Sequence, residues 1–211
     1  MDQTIKIVLI VAVSYLFGSI PTAYLIARTK SVNIFEVGSG NMGATNVIRA
    51  LGFWWGILVW ALDSSKGIAA IVVSTLILPE NPAAATAVSA TAAVVGHNWS
   101  LFASMITGTL RGGKGAAIWF GTMLMIAPFQ MILGICILGG VLIAITRYVS
   151  LAVLAMFSLS TLWMMILIGQ HQQPSEYTFY SLVVTALMLY RFRENIGRLL
   201  HGQERRLGER A

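Results

Sequence analysis

The chain has 211 residues, 57% of them hydrophobic and only 10% charged, with a formal net charge of +6. Soluble domains carry roughly 25% charged residues, so this composition, with a mean hydropathy of +0.78, excludes a soluble globular domain. The cations stand at the ends of apolar runs instead of gathering in one solvated domain, which excludes a nucleic-acid binder, and the single Cys136 excludes an internal disulfide or a thiolate metal cluster.

The first apolar run, Ile5–Ala27, is too long for a signal-peptide core and lacks a small-residue cleavage exit. It reads as a first membrane span, bent at Pro21 and closed by Arg28 and Lys30. A polar segment follows from Glu36 to Gly52, E-V-G-S-G-N-M-G-A-T-N-V-I-R-A-L-G. Span two covers Phe53–Leu78, holds Asp63 and Lys66 inside it, and stops at Pro79-Glu80-Asn81-Pro82. Span three, Ala83–Ile106, is rich in Ala and Thr, which suits close helix packing. A second polar segment, Thr107–Gly115, leads to a short span, Ala116–Ile126, ended by Pro128. Met131–Ile145 returns to Arg147, and Ser150–Ile168 makes span six. Gln170–Glu176 is a polar turn, and Tyr177–Tyr190 leads into a basic tail.

These elements predict an all-α, polytopic protein of seven transmembrane helices, a single integral-membrane domain over residues 1–211. Of the fourteen Lys and Arg, twelve fall in segments 28–52, 107–115, 146–148 and 191–211. Lys6 alone lies on the other side, and Lys66 is within a span. The positive-inside rule then puts the N-terminus outside and the C-terminus in the cytoplasm, with every polar segment rich in glycine and cations on the cytoplasmic face.

Three segments carry the chemistry. Gly38-Ser-Gly-Asn-Met-Gly43 matches G-x-G-x-x-G in letters, but no strand precedes it and no βαβ unit surrounds it. Its glycines, Gly38, Gly40 and Gly43, are interleaved with Ser39, Asn41, Thr45, Asn46 and Arg49, more hydrogen-bonding capacity than a linker needs. Arg49 adds a planar cation suited to phosphate. Gly108-Thr-Leu-Arg-Gly-Gly-Lys114 matches G-x-x-x-x-G-K, yet Gly115 stands where the Mg²⁺-binding hydroxyl of a P-loop belongs. What remains is a Gly112-Gly113-Lys114-Gly115 turn entering a helix, which offers bare amides and an ammonium to an anion. In the tail, Arg205, Arg206 and Arg210 suit anionic lipid. Asn195 and Glu204 do not, and so are site candidates. Asp63 and Lys66, spaced i, i+3 inside a span, read first as an internal ion pair. A substrate contact through Lys66 stays open beside that reading, and His97 is equally open between helix packing and a site role.

Together these segments resemble the acyl-phosphate:glycerol-3-phosphate acyltransferase family of bacterial inner membranes, over essentially the whole chain. The family's three motifs read here as Gly38–Asn46, Gly112–Ala117 and Asn195–Glu204, with Leu62–Gly67 and Gly96-His97 in support. The resemblance implies acyl transfer from acyl phosphate to the 1-hydroxyl of glycerol 3-phosphate by a monomer in the lipid bilayer of the cell inner membrane, its active site facing the cytoplasm. No cofactor, no metal and no nucleic-acid partner are expected, since the histidines show no metal-binding spacing and the cations are not gathered in one domain. The resemblance also implies catalytic roles for Ser39, Lys114 and Asn195, and substrate contacts from the first-loop residues named above, Lys66, His97, the Gly112–Gly115 turn and Glu204. The H-x-x-x-x-D box of other glycerolipid acyltransferases is absent, since Phe102, Glu176 and Arg206 stand five residues after the histidines. Two positions depart from the family: Phe192 stands where His is usual, and Ile118 where Thr is usual. The rival class is a membrane transporter or channel for a phosphate-bearing solute, which intramembrane charges would suit; no inverted repeat is visible in the sequence.

Overall fold

The computed structural model describes residues 2–208. Its backbone clusters into two compact units, one through Met125 and one from Ile126 onward. The first contains helices α1 (Gln3–Ser19), α2 (Thr22–Thr29), α3 (Ala44–Leu51), α4 (Phe53–Ile77), α5 (Pro82–Asn98), α6 (Leu101–Thr107) and the body of α7 (Ala116–Ile126). The second contains α8 (Phe129–Thr146), α9 (Val149–Gly169), α10 (Tyr177–Arg191) and α11 (Arg193–Leu200).

The polarity of the helices is inverted relative to a soluble bundle. Ser19, Asp63, Lys66, Ser74 and Ser89 are buried, whereas Val8, Leu76, Ile137, Leu162 and Ile166 are exposed. Outward apolar side chains suit lipid, and inward small or polar ones supply packing and hydrogen bonds. By length and composition four helical stretches can cross a bilayer: Gln3–Thr29 taken across its bend, Phe53–Ile77, Phe129–Thr146 and Val149–Gly169. The other expected crossings are shorter, with 17 residues in α5, 11 in α7 and 15 in α10. A helix needs about 20 residues for the hydrocarbon core, so length alone does not make them spans.

Glycine sets the closest helix approaches. A Cβ on Gly18 would lie 2.0 Å from the Ala93 carbonyl oxygen, and one on Gly96 would lie 2.2 Å from that of Tyr15, so α1 and α5 touch backbone to backbone. Gly121 of α7 meets the Ser64 carbonyl of α4 in the same way, at 2.0 Å, and Ser64 Oγ donates to the Ala117 carbonyl at 2.9 Å. Hydroxyl pairs add glue: Ser74 with Ser89 at 2.9 Å between α4 and α5, and Thr161 with Thr185 at 2.5 Å between α9 and α10. At one end Lys6 donates to Glu80, which holds that carboxyl below the usual carboxylate range. Glu80 is exposed, so this pair contributes little to stability.

The bend expected at Pro21 is a full interruption, with α1 ending at Ser19 and α2 starting at Thr22. The expected span Ala83–Ile106 is corrected by a second break at Trp99-Ser100, where α5 ends and α6 begins with Ser100 Oγ accepting from Ala103 N at 3.0 Å. The two breaks satisfy one another. Ser100 Oγ donates to the Ser19 carbonyl at 2.5 Å, Ser19 Oγ to the Gly96 carbonyl at 3.3 Å, and Tyr15 Oη to the Trp99 carbonyl at 2.8 Å. Non-helical backbone inside a membrane frame persists where such partners exist.

Candidate active site

The first loop is folded, not loose. Ile34 and Val47 are fully buried with Met42, in a cluster that includes Ala23, Ala27 and Val59. Its organiser is Asn46 on α3. Asn46 Oδ1 accepts from Ser39 N at 2.9 Å, and Nδ2 lies 3.2, 3.1 and 3.1 Å from the carbonyls of Ile34, Val37 and Asn41. Asn41 Nδ2 in turn donates to the Ser39 carbonyl at 3.1 Å. Asn46 is buried and occupied by this knot, so its geometry is that of a residue shaping the loop. Gly40 has φ +65°, and a Cβ there would meet the Phe35 carbonyl at 3.1 Å, so the turn requires glycine. Gly38 shares the left-handed conformation. The result leaves Gly38 and Ser39 exposed at the loop tip, while Gly43 opens α3 and Thr45 and Arg49 sit half-buried on it.

The second loop is pinned to the broken end of α5. Ser100 N donates to the Arg111 carbonyl and Gly113 N to the His97 carbonyl, both at 2.9 Å. A Cβ on Gly112 would lie 2.1 Å from the Asn98 carbonyl oxygen, and one on Gly113 would lie 2.1 Å from His97 Nε2. These glycines permit close approach, which brings His97 and the loop together. Gly115 then adopts φ +82° and its carbonyl accepts from Trp119 N at 2.9 Å, starting α7, with Lys114 half-buried just before the helix. Arg111 lies over the Phe35 ring at 5.8 Å from its centroid, so the first and second loops meet. Ile118, the departure from the family's Thr, is fully buried beside Gly67 of α4.

Beneath the loops lies the intramembrane pair. Lys66 Nζ is 2.7 Å from Asp63 Oδ1 and donates to the Ile20 carbonyl at 2.7 Å. Thr22 Oγ1 also donates to Asp63, and His97 Nδ1 is 4.0 Å from the same carboxylate. Pro21 leaves a helix break that needs partners, and the pair supplies them from α4. The internal ion-pair reading of Lys66 therefore has its geometry.

In the second unit, Glu204 forms a knot of its own. Oε1 accepts from Asn195 Nδ2 at 2.6 Å and from Ser150 Oγ at 2.9 Å, and Oε2 accepts from Arg198 Nε at 2.8 Å. With three donors and 6% side-chain exposure, the carboxylate orients its neighbours, and sequence reading alone gave no sign of Ser150. Arg147 clasps the tail through its guanidinium and backbone to the Leu207 backbone. Phe192 is buried edge-on to Phe157, with ring centroids 6.2 Å apart, so an apolar contact replaces the family's imidazole.

Fold and loops define a class: a helical integral membrane protein whose glycine–cation loops fold against broken helix ends. A family model for glycerol-3-phosphate acyltransferase matches residues 8–202. A glycerol-3-phosphate acyltransferase of Halalkalibacterium halodurans is 38% identical over 204 residues, covering 96% of each chain. One of Thermus thermophilus is 41% identical over 203 residues, covering 94% of each. The crystal structure of PlsY (YgiH), an integral membrane glycerol 3-phosphate acyltransferase in its glycerol 3-phosphate form, superposes with a TM-score of 0.83 at 34% identity, covering 96% of both chains. Its lysophosphatidic acid form gives a TM-score of 0.82 at 33% identity, covering 96% of this chain and 95% of that one. The chain belongs to the glycerol-3-phosphate acyltransferase family.

Proposed function

We propose that this protein transfers a fatty acyl group from acyl phosphate to the 1-hydroxyl of sn-glycerol 3-phosphate. The products are 1-acyl-glycerol 3-phosphate (lysophosphatidate) and inorganic phosphate, in the opening step of phospholipid synthesis. The observation that carries the reading is the meeting of the two glycine–cation loops, with Arg111 over Phe35 and Gly112-Gly113 pressed on the end of α5. The glycerol 3-phosphate and lysophosphatidic acid forms of the solved relatives support the acceptor and the product.

An acyl phosphate is an activated mixed anhydride, so the enzyme's task is to hold two anions together and offset their charge. The glycerol oxygen attacks the acyl carbon, and the bond from that carbon to the phosphate oxygen breaks. The electron pair leaves on phosphate, and the hydroxyl proton passes to the acceptor's own phosphate. Ser39 and Lys114 bind the phosphate groups, Arg49 holds glycerol 3-phosphate, and Asn195 orients it. Gly38, Gly40, Asn41 and Gly43 form the first loop's rim with Thr45, and Asn46 and Glu204 fix the shapes of their segments. Lys66 and His97 support the helix breaks beneath. No Ser–His–Asp set was found in the sequence, so transfer is direct, without an acyl-enzyme.

The protein works as a monomer and a single domain in the inner membrane, with seven crossings, an outer N-terminus and a cytoplasmic C-terminus. In a Cys136-free background, single cysteines at Ser39 or Gln203 are expected to label only from the cytoplasmic side, and at Gln172 only from outside. Labelling of Ser39 and Gln172 from one face would contradict the topology. In the transfer assay, purified protein should make lysophosphatidate from palmitoyl phosphate but not from palmitoyl-CoA, and EDTA should leave the rate unchanged. Equal use of the thioester, or a strict requirement for a divalent ion, would refute the donor and the metal-free mechanism respectively.

A further inference from the structure

We infer that Arg198 is an additional phosphate-binding group of this enzyme, a fork for a substrate's phosphate monoester. The inference rests on the reading above, because Asn195, which shares the Glu204 carboxylate with Arg198, is assigned there to glycerol 3-phosphate. Asn195 and Arg198 lie three residues apart on α11, so they project from one face about 5–6 Å apart at Cβ. Glu204 takes one from each: Asn195 at Oε1 and Arg198 Nε at Oε2. Oε1 also accepts Ser150 Oγ, so three donors converge on the carboxylate, and Arg198 supplies one of them through Nε alone.

An arginine serving only as a counterion typically bonds a carboxylate with two parallel N–H groups. Arg198 instead gives a single bond through Nε, and among the described residues this is the only hydrogen bond of its side chain. Its side chain is 37% exposed, whereas that of Glu204 is 6% exposed. The buried acid therefore fixes the plane and direction of the guanidinium, and among the described residues both terminal amines are without a hydrogen bond, a pre-set pair of donors. A rigid planar fork fits a tetrahedral phosphate with two parallel bonds, a geometry that an ammonium cannot copy. Orientation by Glu204 removes rotamer freedom that binding would otherwise have to freeze.

The test compares Arg198→Lys with wild type in detergent-solubilised enzyme, with Arg198→Ala alongside. Lysine keeps a positive partner for Glu204 but loses the fork. The expected result is an Arg198→Lys protein that melts within about 3 °C of wild type, no more than a loss of roughly 1 kcal/mol shifts a chain of this size. Its KM for one phosphate-bearing substrate should rise roughly 10- to 100-fold, with a smaller change in kcat, the scale for a lost charge-assisted pair of hydrogen bonds. A rise for glycerol 3-phosphate assigns the acceptor, and a rise for palmitoyl phosphate assigns the donor. Stabilisation of the protein against heat by inorganic phosphate gives a readout that needs no turnover, and it should fall in Arg198→Lys. If wild type shows no acyl transfer while phosphate stabilisation still depends on Arg198, the activity reading fails and this one stands. Unchanged KM values and unchanged phosphate stabilisation would overturn it, leaving Arg198 as the counterion of Glu204. So would a loss confined to activation by anionic lipid vesicles, which would assign the fork to headgroups.

Discussion

Lys114→Ala is expected to lower kcat by roughly 30- to 1,000-fold, equivalent to about 2–4 kcal/mol of transition-state stabilisation. The expectation follows from where the backbone puts the residue. Gly112 and Gly113 are pressed on the end of α5, and Gly115 turns into α7, so Lys114 is carried between two fixed points. In the proposed reaction an ammonium held there would meet the charge that grows on the departing phosphate without first having to be ordered. Arg49→Ala provides the contrast. If Arg49 holds only the acceptor, its loss raises the KM for glycerol 3-phosphate and leaves kcat nearly unchanged. Steady-state kinetics on correctly inserted proteins separates the two. Near-normal kcat/KM in both variants would place the chemistry elsewhere in the chain.

Lys66→Met alone is expected to destabilise the protein by about 3–5 kcal/mol, the cost of leaving one member of a buried pair without its partner. Asp63 would keep Thr22 but lose its cation, and the Ile20 carbonyl would lose its Nζ donor at the helix break. Asp63→Asn with Lys66→Met removes both charges and keeps an acceptor for Thr22. The double variant should therefore be more stable than Lys66→Met, with a coupling of about 0.5–3 kcal/mol in the cycle. Thermal unfolding in detergent reads the stability, and the transfer assay on the same samples reads the activity. If Lys66 is structural, activity returns with stability in the double variant. A stable double variant with a large rise in KM would assign Lys66 to substrate.

The glycine–cation loops were legible because their chemistry is local. Glycines among hydrogen-bonding side chains, and a lysine between glycines before a helix, stand within a few residues of one another. The reason for particular glycines was not legible, since Gly112 and Gly113 answer to the carbonyl of Asn98 and the ring of His97 on another helix. Pro21 announced the first break through its missing N–H. The second, at Trp99-Ser100, contains no proline and is held by Ser19, Tyr15 and Arg111, whose partners lie far along the chain or across a loop. Ser100 before an apolar turn was the readable signal, as an N-cap within an apparent span.

Asn46 looked like a ligand residue because an amide among glycines has spare donors and acceptors. The structure commits them to Ile34, Val37, Asn41 and Ser39, a pattern that no spacing encodes. Glu204 stood out in the sequence as a residue that lipid binding does not need. Its partner Ser150 lies 54 residues away, so its place in a knot with Asn195 and Arg198 emerged only in three dimensions.

The central claim, direct transfer from acyl phosphate to glycerol 3-phosphate, is tested most directly by the early time course of phosphate release. Purified protein is mixed rapidly with palmitoyl phosphate, with and without glycerol 3-phosphate, and phosphate and lysophosphatidate are measured together. Direct attack predicts no release without the acceptor and, with it, one phosphate for each lysophosphatidate and no burst. A burst of phosphate in the absence of glycerol 3-phosphate, leaving the palmitoyl group on the protein, would contradict it.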